Sequence, residues 1–105
     1  MDQEIYERLQ SISNRLKKEY HAERVILFGS YATGEATQDS DVDLFIIAPT
    51  KERFFERMAT VLGIVRDLYK GLALSPIVLR SQEVKRRLKI NDQFVQEILE
   101  KGVEL

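Results

Sequence analysis

In "DSDVDLFIIA", residues 39 to 48, Asp41 and Asp43 stand two apart at the head of an apolar run. Side chains alternate along a strand, so a strand here turns both carboxylates to one side, with Cα atoms about 6.6 Å apart. Carboxylates on that spacing can converge on one or two hard cations, and a divalent cation relieves the repulsion between like charges. Magnesium suits oxygen ligands and commonly shares its shell with substrate phosphates; manganese is accepted by the same kind of donor set. Leu44, Phe45, Ile46 and Ile47 carry the run into a core and would hold the pair rigidly.

Upstream, "RVILFGS" ends in Gly29 and Ser30, ten residues before Asp41. Glycine permits a tight turn and a close approach of backbone to a ligand. Ser30 offers a hydroxyl and a backbone N–H, and a helical turn starting there would favour an anion such as phosphate. A phosphate cradle facing a cation-binding pair suits phosphoryl or nucleotidyl transfer. Each feature taken alone has a plainer role. A glycine-serine pair after a strand is usually a turn, and Asp-x-Asp is usually turn or cap chemistry. Asp39 is assigned that plainer role, a turn residue ahead of the strand rather than a third ligand.

The elements that must position these groups follow from periodicity. Ile5, Leu9, Ile12, Leu16 and Tyr20 mark one face of a helix over about residues 2 to 20. "RVILFG" reads as a buried strand, residues 29 to 40 as a loop with room for one helical turn, and "VDLFIIA" as a second strand closed by Pro49. Phe54, Phe55, Met58, Val61, Leu62, Val65, Leu68 and Tyr69 mark a second long helix. "LALSPIVL" is a third strand, with Pro76 pointing to an edge or a bulge. Two helices close the chain. "SQEVKRRL" takes Ser81 as N-cap, and "NDQFVQEILEKG" takes Asn91 as N-cap, an apolar face of Phe94, Val95, Ile98 and Leu99, and Gly102 as a stop. The order α-β-β-α-β-α-α predicts an α/β (α+β) fold: a small mixed sheet of about three strands packed with helices. The loop joins the first two strands antiparallel; the helix joins the second and third in parallel by a right-handed crossover.

Composition narrows the chemistry. The 105 residues suit one domain, 1–105, with 44% hydrophobic and 31% charged residues. Sixteen basic against seventeen acidic residues leave no electrostatic footprint for strong nucleic-acid binding. Without cysteine there is no thiol nucleophile or thiolate metal site, and a single histidine, His21, argues against histidine-bound zinc. His21 is placed at the end of the first helix, where a cation suits the dipole. "MDQEIYERLQ" lacks the pattern of a signal peptide, no apolar run approaches transmembrane length, and a cytoplasmic location is the expectation. Lys85 to Arg87 read as a solvated helix face, Tyr31 as packing over the loop, and Arg80 as a surface residue that would reach a phosphate only if its end of the strand bordered the site.

Gly29-Ser30, ten residues, then Asp41-Val42-Asp43 on an apolar strand resembles the nucleotidyltransferase superfamily that includes DNA polymerase β. The wording "GSYATGEATQDSDVDL" most resembles its small stand-alone "minimal" members from bacteria and archaea, and the resemblance extends over nearly the whole chain. The resemblance implies a two-metal magnesium site in which Asp41 and Asp43 are catalytic metal ligands. It implies that Gly29 and Ser30 hold the phosphates of an NTP, and that NMP passes to an acceptor hydroxyl with release of pyrophosphate. It also implies a third carboxylate on the third strand, but "LALSPIVLR" contains no acid, and Ser75 or Pro76 stands about where it belongs. Glu83, the next acid, begins a helix and is expected to face elsewhere. Thr33 replaces an arginine common in relatives. Two function classes therefore stay open. One is a metal-dependent transferase with an acceptor hydroxyl, a partner protein being one candidate to carry it. The other is a catalytically weakened nucleotide- or partner-binding module, such as the antitoxin-like companion of a helical HEPN-type protein. A homo-oligomer through the first and last helices is a further expectation, though core burial explains their apolar residues equally well.

Overall fold

The computed structural model describes all 105 residues, Met1–Leu105. The order is α1 (Gln3–Glu19), β1 (Arg24–Phe28), α2 (Ser30–Thr33), β2 (Asp41–Ile47), α3 (Phe54–Ile64), β3 (Ala73–Leu79), α4 (Ser81–Lys89), α5 (Gln93–Lys101) and β4 (Val103–Glu104). The strands form one mixed sheet in the order β3-β2-β1-β4. As expected, β1 pairs antiparallel with β2 and β2 pairs parallel with β3. The sheet has four strands rather than three. β4 is two residues long, too short to show a period, and pairs antiparallel with β1 at Ile26 and Leu27. No helix is long and apolar enough to cross a membrane.

β2 sits inside the sheet with helices on both faces, which is why its sequence is continuously apolar instead of alternating. One face buries Val25, Leu27, Val42, Leu44, Ile46 and Val78 against Leu9, Ile12 and Leu16 of α1 and Val61 of α3. The other buries Ile26, Phe45, Ile47 and Leu79 against Val84 of α4 and Val95 and Ile98 of α5. β3 is an edge strand, so Pro76 removes no donor that a further neighbour would need.

The helix ends differ from the sequence reading by one residue. Ser81 is the first helical residue of α4, not its cap: Arg80 holds the cap position and its N–H donates to Glu83 Oε1 at 2.7 Å. Asp92, not Asn91, caps α5, accepting from the Val95 N–H at 3.2 Å, while Asn91 takes a left-handed φ of 58°. His21, also at φ 58°, lies beyond the end of α1. α3 stops at Ile64 and gives way to turns before Tyr69. Its buried face departs from the apolar periodicity. Phe54, Phe55 and Met58 are exposed, and Arg57 is buried in their stead. Its guanidinium spends its donors on the Glu52 and Val78 carbonyls and on the Glu83 carboxylate, and that pairing is what lets a cation go inside.

Candidate functional site: a glycine turn against paired aspartates

Asp41 and Asp43 occupy the first and third positions of β2, and the burial pattern alternates as a strand requires: Asp41 exposed, Val42 buried, Asp43 half-buried. A turn fixes the approach to Asp41. The Thr37 N–H donates to Ser40 Oγ at 2.8 Å, the Ser40 N–H returns to the Thr37 carbonyl at 3.1 Å, and Asp39 N–H donates to Thr37 Oγ1 at 3.3 Å. Asp39 thus has the turn role assigned to it.

Antiparallel register sets Phe28 opposite Asp43, and the chain then turns at Gly29. Gly29 has φ 75° and ψ −155°, and its carbonyl accepts from the Ala32 and Thr33 N–H groups at 3.0 and 3.2 Å. A Cβ on Gly29 would collide with Asp43 Oδ2 and lie 3.3 Å from Asp43 Cγ. Glycine is therefore required twice, by a backbone angle that L side chains rarely adopt and by a carboxylate that occupies the space of the missing side chain. Ser30 begins α2, where the opening N–H groups have no partner within the helix. The structure brings Gly29, Ser30 and Asp43 together and sets Asp41 on the same side of β2. Tyr31, half-buried, packs against the apolar cluster on the other face of the sheet.

Nothing in the protein neutralises the two carboxylates. No arginine, lysine or histidine lies within ion-pair distance of Asp41 or Asp43. Burial, followed by the charge of Asp41, pushes the Asp43 carboxyl above its ordinary value. In β3, Ser75 is the register partner of Asp43, and Ala73 that of Asp41. A parallel neighbour in register shares its face, so Ser75 stands where a third carboxylate would join the pair. No group of three or more acidic, histidine or cysteine side chains is arranged to hold a metal. The donor set fits one hard divalent cation on two carboxylates, with further oxygens to come from a phosphate or water.

Other candidates lie away from the site. β3 runs parallel to β2, so Arg80, just past its far end, is about 20 Å along the sheet from Ala73. It pairs with Glu83 and cannot reach a phosphate at the aspartates. Glu83 faces away from the site as expected, held by Arg57 at 2.7 Å. Lys85 to Arg87 are exposed. The sequence reading missed a cavity of about 320 Å³ beside Gly29, walled by Phe28, Ala32 and Thr33 on one side and by Phe94, Ile98 and Lys101 of α5 on the other. Its one sequence signal was an aromatic, Phe28, directly ahead of the glycine-serine turn.

A mixed sheet whose interior strand presents paired carboxylates against a glycine turn defines the class of the domain by its fold and its site. The comparisons narrow it. The family model of the nucleotidyltransferase domain matches residues 9–105, and the chain belongs to that family. It is 35% identical over 91 residues to a Methanocaldococcus jannaschii protein named "putative protein adenylyltransferase", covering 85% of each chain. A second protein of that name from the same organism is 36% identical over 87 residues, covering 76% of this chain and 89% of that one. In fold, the chain is similar to the crystal structure of a nucleotidyltransferase, so described as putative, from Sulfolobus solfataricus: TM-score 0.51, 23% identity, with 82% of this chain and 81% of that one covered.

Proposed function

We propose that the protein is a metal-dependent nucleotidyltransferase that moves NMP from a nucleoside triphosphate to a hydroxyl on a protein. The observation that carries this reading is the contact at Gly29: the turn is pressed so close to Asp43 that only glycine fits. A turn with no ligand to serve gains nothing from being pressed against an unpaired carboxylate. The names of the curated relatives support a protein as the acceptor.

In this reading Gly29 and Ser30 present backbone N–H and hydroxyl groups to the phosphates, and Asp41 and Asp43 would hold Mg²⁺, or Mn²⁺. A cation held there would supply charge neutralisation for the triphosphate and Lewis acidity at the phosphorus. The acceptor oxygen bonds to the α-phosphorus, the bond to the bridging oxygen breaks, pyrophosphate leaves, and the acceptor proton passes to water. Lining up these atoms is the contribution of rigid strand ends, since phosphoryl transfer is mostly positioning and electrostatics.

One observation favours a second reading. Ser75 beside Asp43 leaves the acceptor side without a third carboxylate. On this view the domain binds Mg-nucleotide but transfers slowly, and it acts through, or is completed by, a partner chain such as a helical protein of the HEPN type.

Calorimetric titration with Mg-ATP and then the other Mg-NTPs, against the Asp41→Ala, Asp43→Ala double variant, tests both. Metal-dependent binding that vanishes in the variant is expected; no binding of any nucleotide by the wild type overturns the transferase. Ser75→Asp separates the readings: it should raise Mg²⁺ affinity and transfer, and no gain in either counts against a simple missing ligand.

A further inference from the structure

The cavity between α2 and α5 shares Gly29 with the site. Its wall begins at Phe28 and Gly29 and ends at Lys101 and Gly102. Phe28 is the strand partner of Asp43, so cavity and carboxylate are one strand spacing apart, about 5 Å. The cavity lies on the same side of the sheet as the aspartates, because Phe28 and Ile98 belong to the apolar cluster beneath that side.

Its volume, about 320 Å³, falls at the small end of the range for small-molecule sites. Phe28, Ala32, Phe94 and Ile98 give it an apolar floor, and Thr33, Glu97 and Lys101 give it a polar rim. Phe94 is 52% exposed yet held in place, edge-to-face with Phe28 at 5.6 Å and 87° between ring planes. An exposed aromatic fixed by a second aromatic, at the mouth of an apolar cavity, is a stacking platform in want of a flat partner.

We propose that this cavity receives the nucleoside of the triphosphate whose phosphates lie at Gly29, Ser30 and the two aspartates, a placement that rests on the function proposed above. The base stacks on Phe94, and the ribose lies toward Gly29, within reach of the rim. Glu97 accepts from sugar hydroxyls or an exocyclic amine, and Lys101 donates to an oxygen of the nucleotide. The domain thereby supplies a base-binding surface from α5, the helix that carries Phe94, Glu97 and Lys101.

Calorimetry in magnesium with ATP and with inorganic tripolyphosphate separates nucleoside from phosphate. The wild type should bind ATP about tenfold or more tighter than tripolyphosphate, the size of one lost base–aromatic stack. Phe94→Ala should remove that difference and leave tripolyphosphate affinity unchanged, which also certifies the fold. Glu97→Trp, at an exposed helix position, should do the same by filling the cavity. Equal wild-type affinities for the two ligands, or an ATP preference that survives both variants, overturns the nucleoside cavity and leaves the phosphate site standing. No tripolyphosphate binding, or binding that survives Asp41→Ala with Asp43→Ala, overturns the phosphate reading and the cavity with it.

Discussion

Asp43 is the residue at which the domain departs from its own best stability. It is half-buried, uncompensated by any basic side chain, two residues from Asp41 and pressed against the Gly29 backbone. Its carboxyl is raised by burial and by Asp41, so the folded state binds its proton more tightly than the unfolded chain does. The sign follows: stability falls as pH rises through the raised value, and the destabilisation is complete above it. Asp43→Asn removes the charge at nearly constant shape. In metal-free buffer at pH 7 it should raise the melting temperature by about 2–5 °C. The gain should shrink as pH drops toward the acid range, where wild-type Asp43 is protonated. A melting curve in chelator at several pH values decides it. A variant no more stable than wild type at pH 7 would show that the pair is already relieved by another route.

At the scale of elements, the last turn of α5 decides how the site closes. Gly102 ends that helix, as expected. It has φ −69° and ψ 161°, extended backbone that leads straight into β4. Its glycine is required by crowding: a Cβ there would collide with Ile26 Cγ2 and lie 2.5 Å from the Ile98 carbonyl oxygen. Gly102→Ala should therefore cost about 1–3 kcal/mol, as overpacking does. It should also speed amide exchange at Leu105, whose N–H donates to the Val25 carbonyl at 2.9 Å beside β4; a chemical-denaturation midpoint and exchange rates equal to wild type would refute this. Sequence legibility divides along the same line. Asp41, Asp43 and Gly29 were readable because strand alternation and one turn are local. The strand pairings were readable because connection length decides parallel or antiparallel. The α3 face was unreadable because Arg57 goes inside on the strength of Glu83, 26 residues later. The helix caps slipped by one because Glu83 and Asp92 bond to backbone in ways that Ser81 and Asn91 equally advertise. β4 and the cavity exist only once distant segments meet.

Across the whole molecule, the Arg57–Glu83 pair joins the two helical layers. Arg57 belongs to α3 on one face and Glu83 to α4 on the other, and between them Arg57 Nη1 donates to the Val78 carbonyl of the edge strand at 3.0 Å. The Arg57 guanidinium holds the Glu83 carboxyl at about 2, below its ordinary 4.5. A depressed acid contributes stability that is whole above the ordinary value and is lost as pH falls toward the depressed one. Urea unfolding should thus show wild-type stability declining between pH 4.5 and 2. Glu83→Ala should lose about 3–5 kcal/mol at neutral pH by stranding a buried cation, and should lack that part of the acid dependence. An unchanged acid slope in the variant would assign the decline to other carboxylates. The same fold orders events during synthesis. β1 and β2 can meet once residues up to 47 have left the ribosome, and this already sets Gly29 beside Asp43. The other edge of β1 must wait for residues 103 and 104, and α5 arrives only just before them. The turn beside Asp43 is thus set by contacts within residues 24 to 47, and the wall that faces it is brought in by α5, about fifty residues further along the chain.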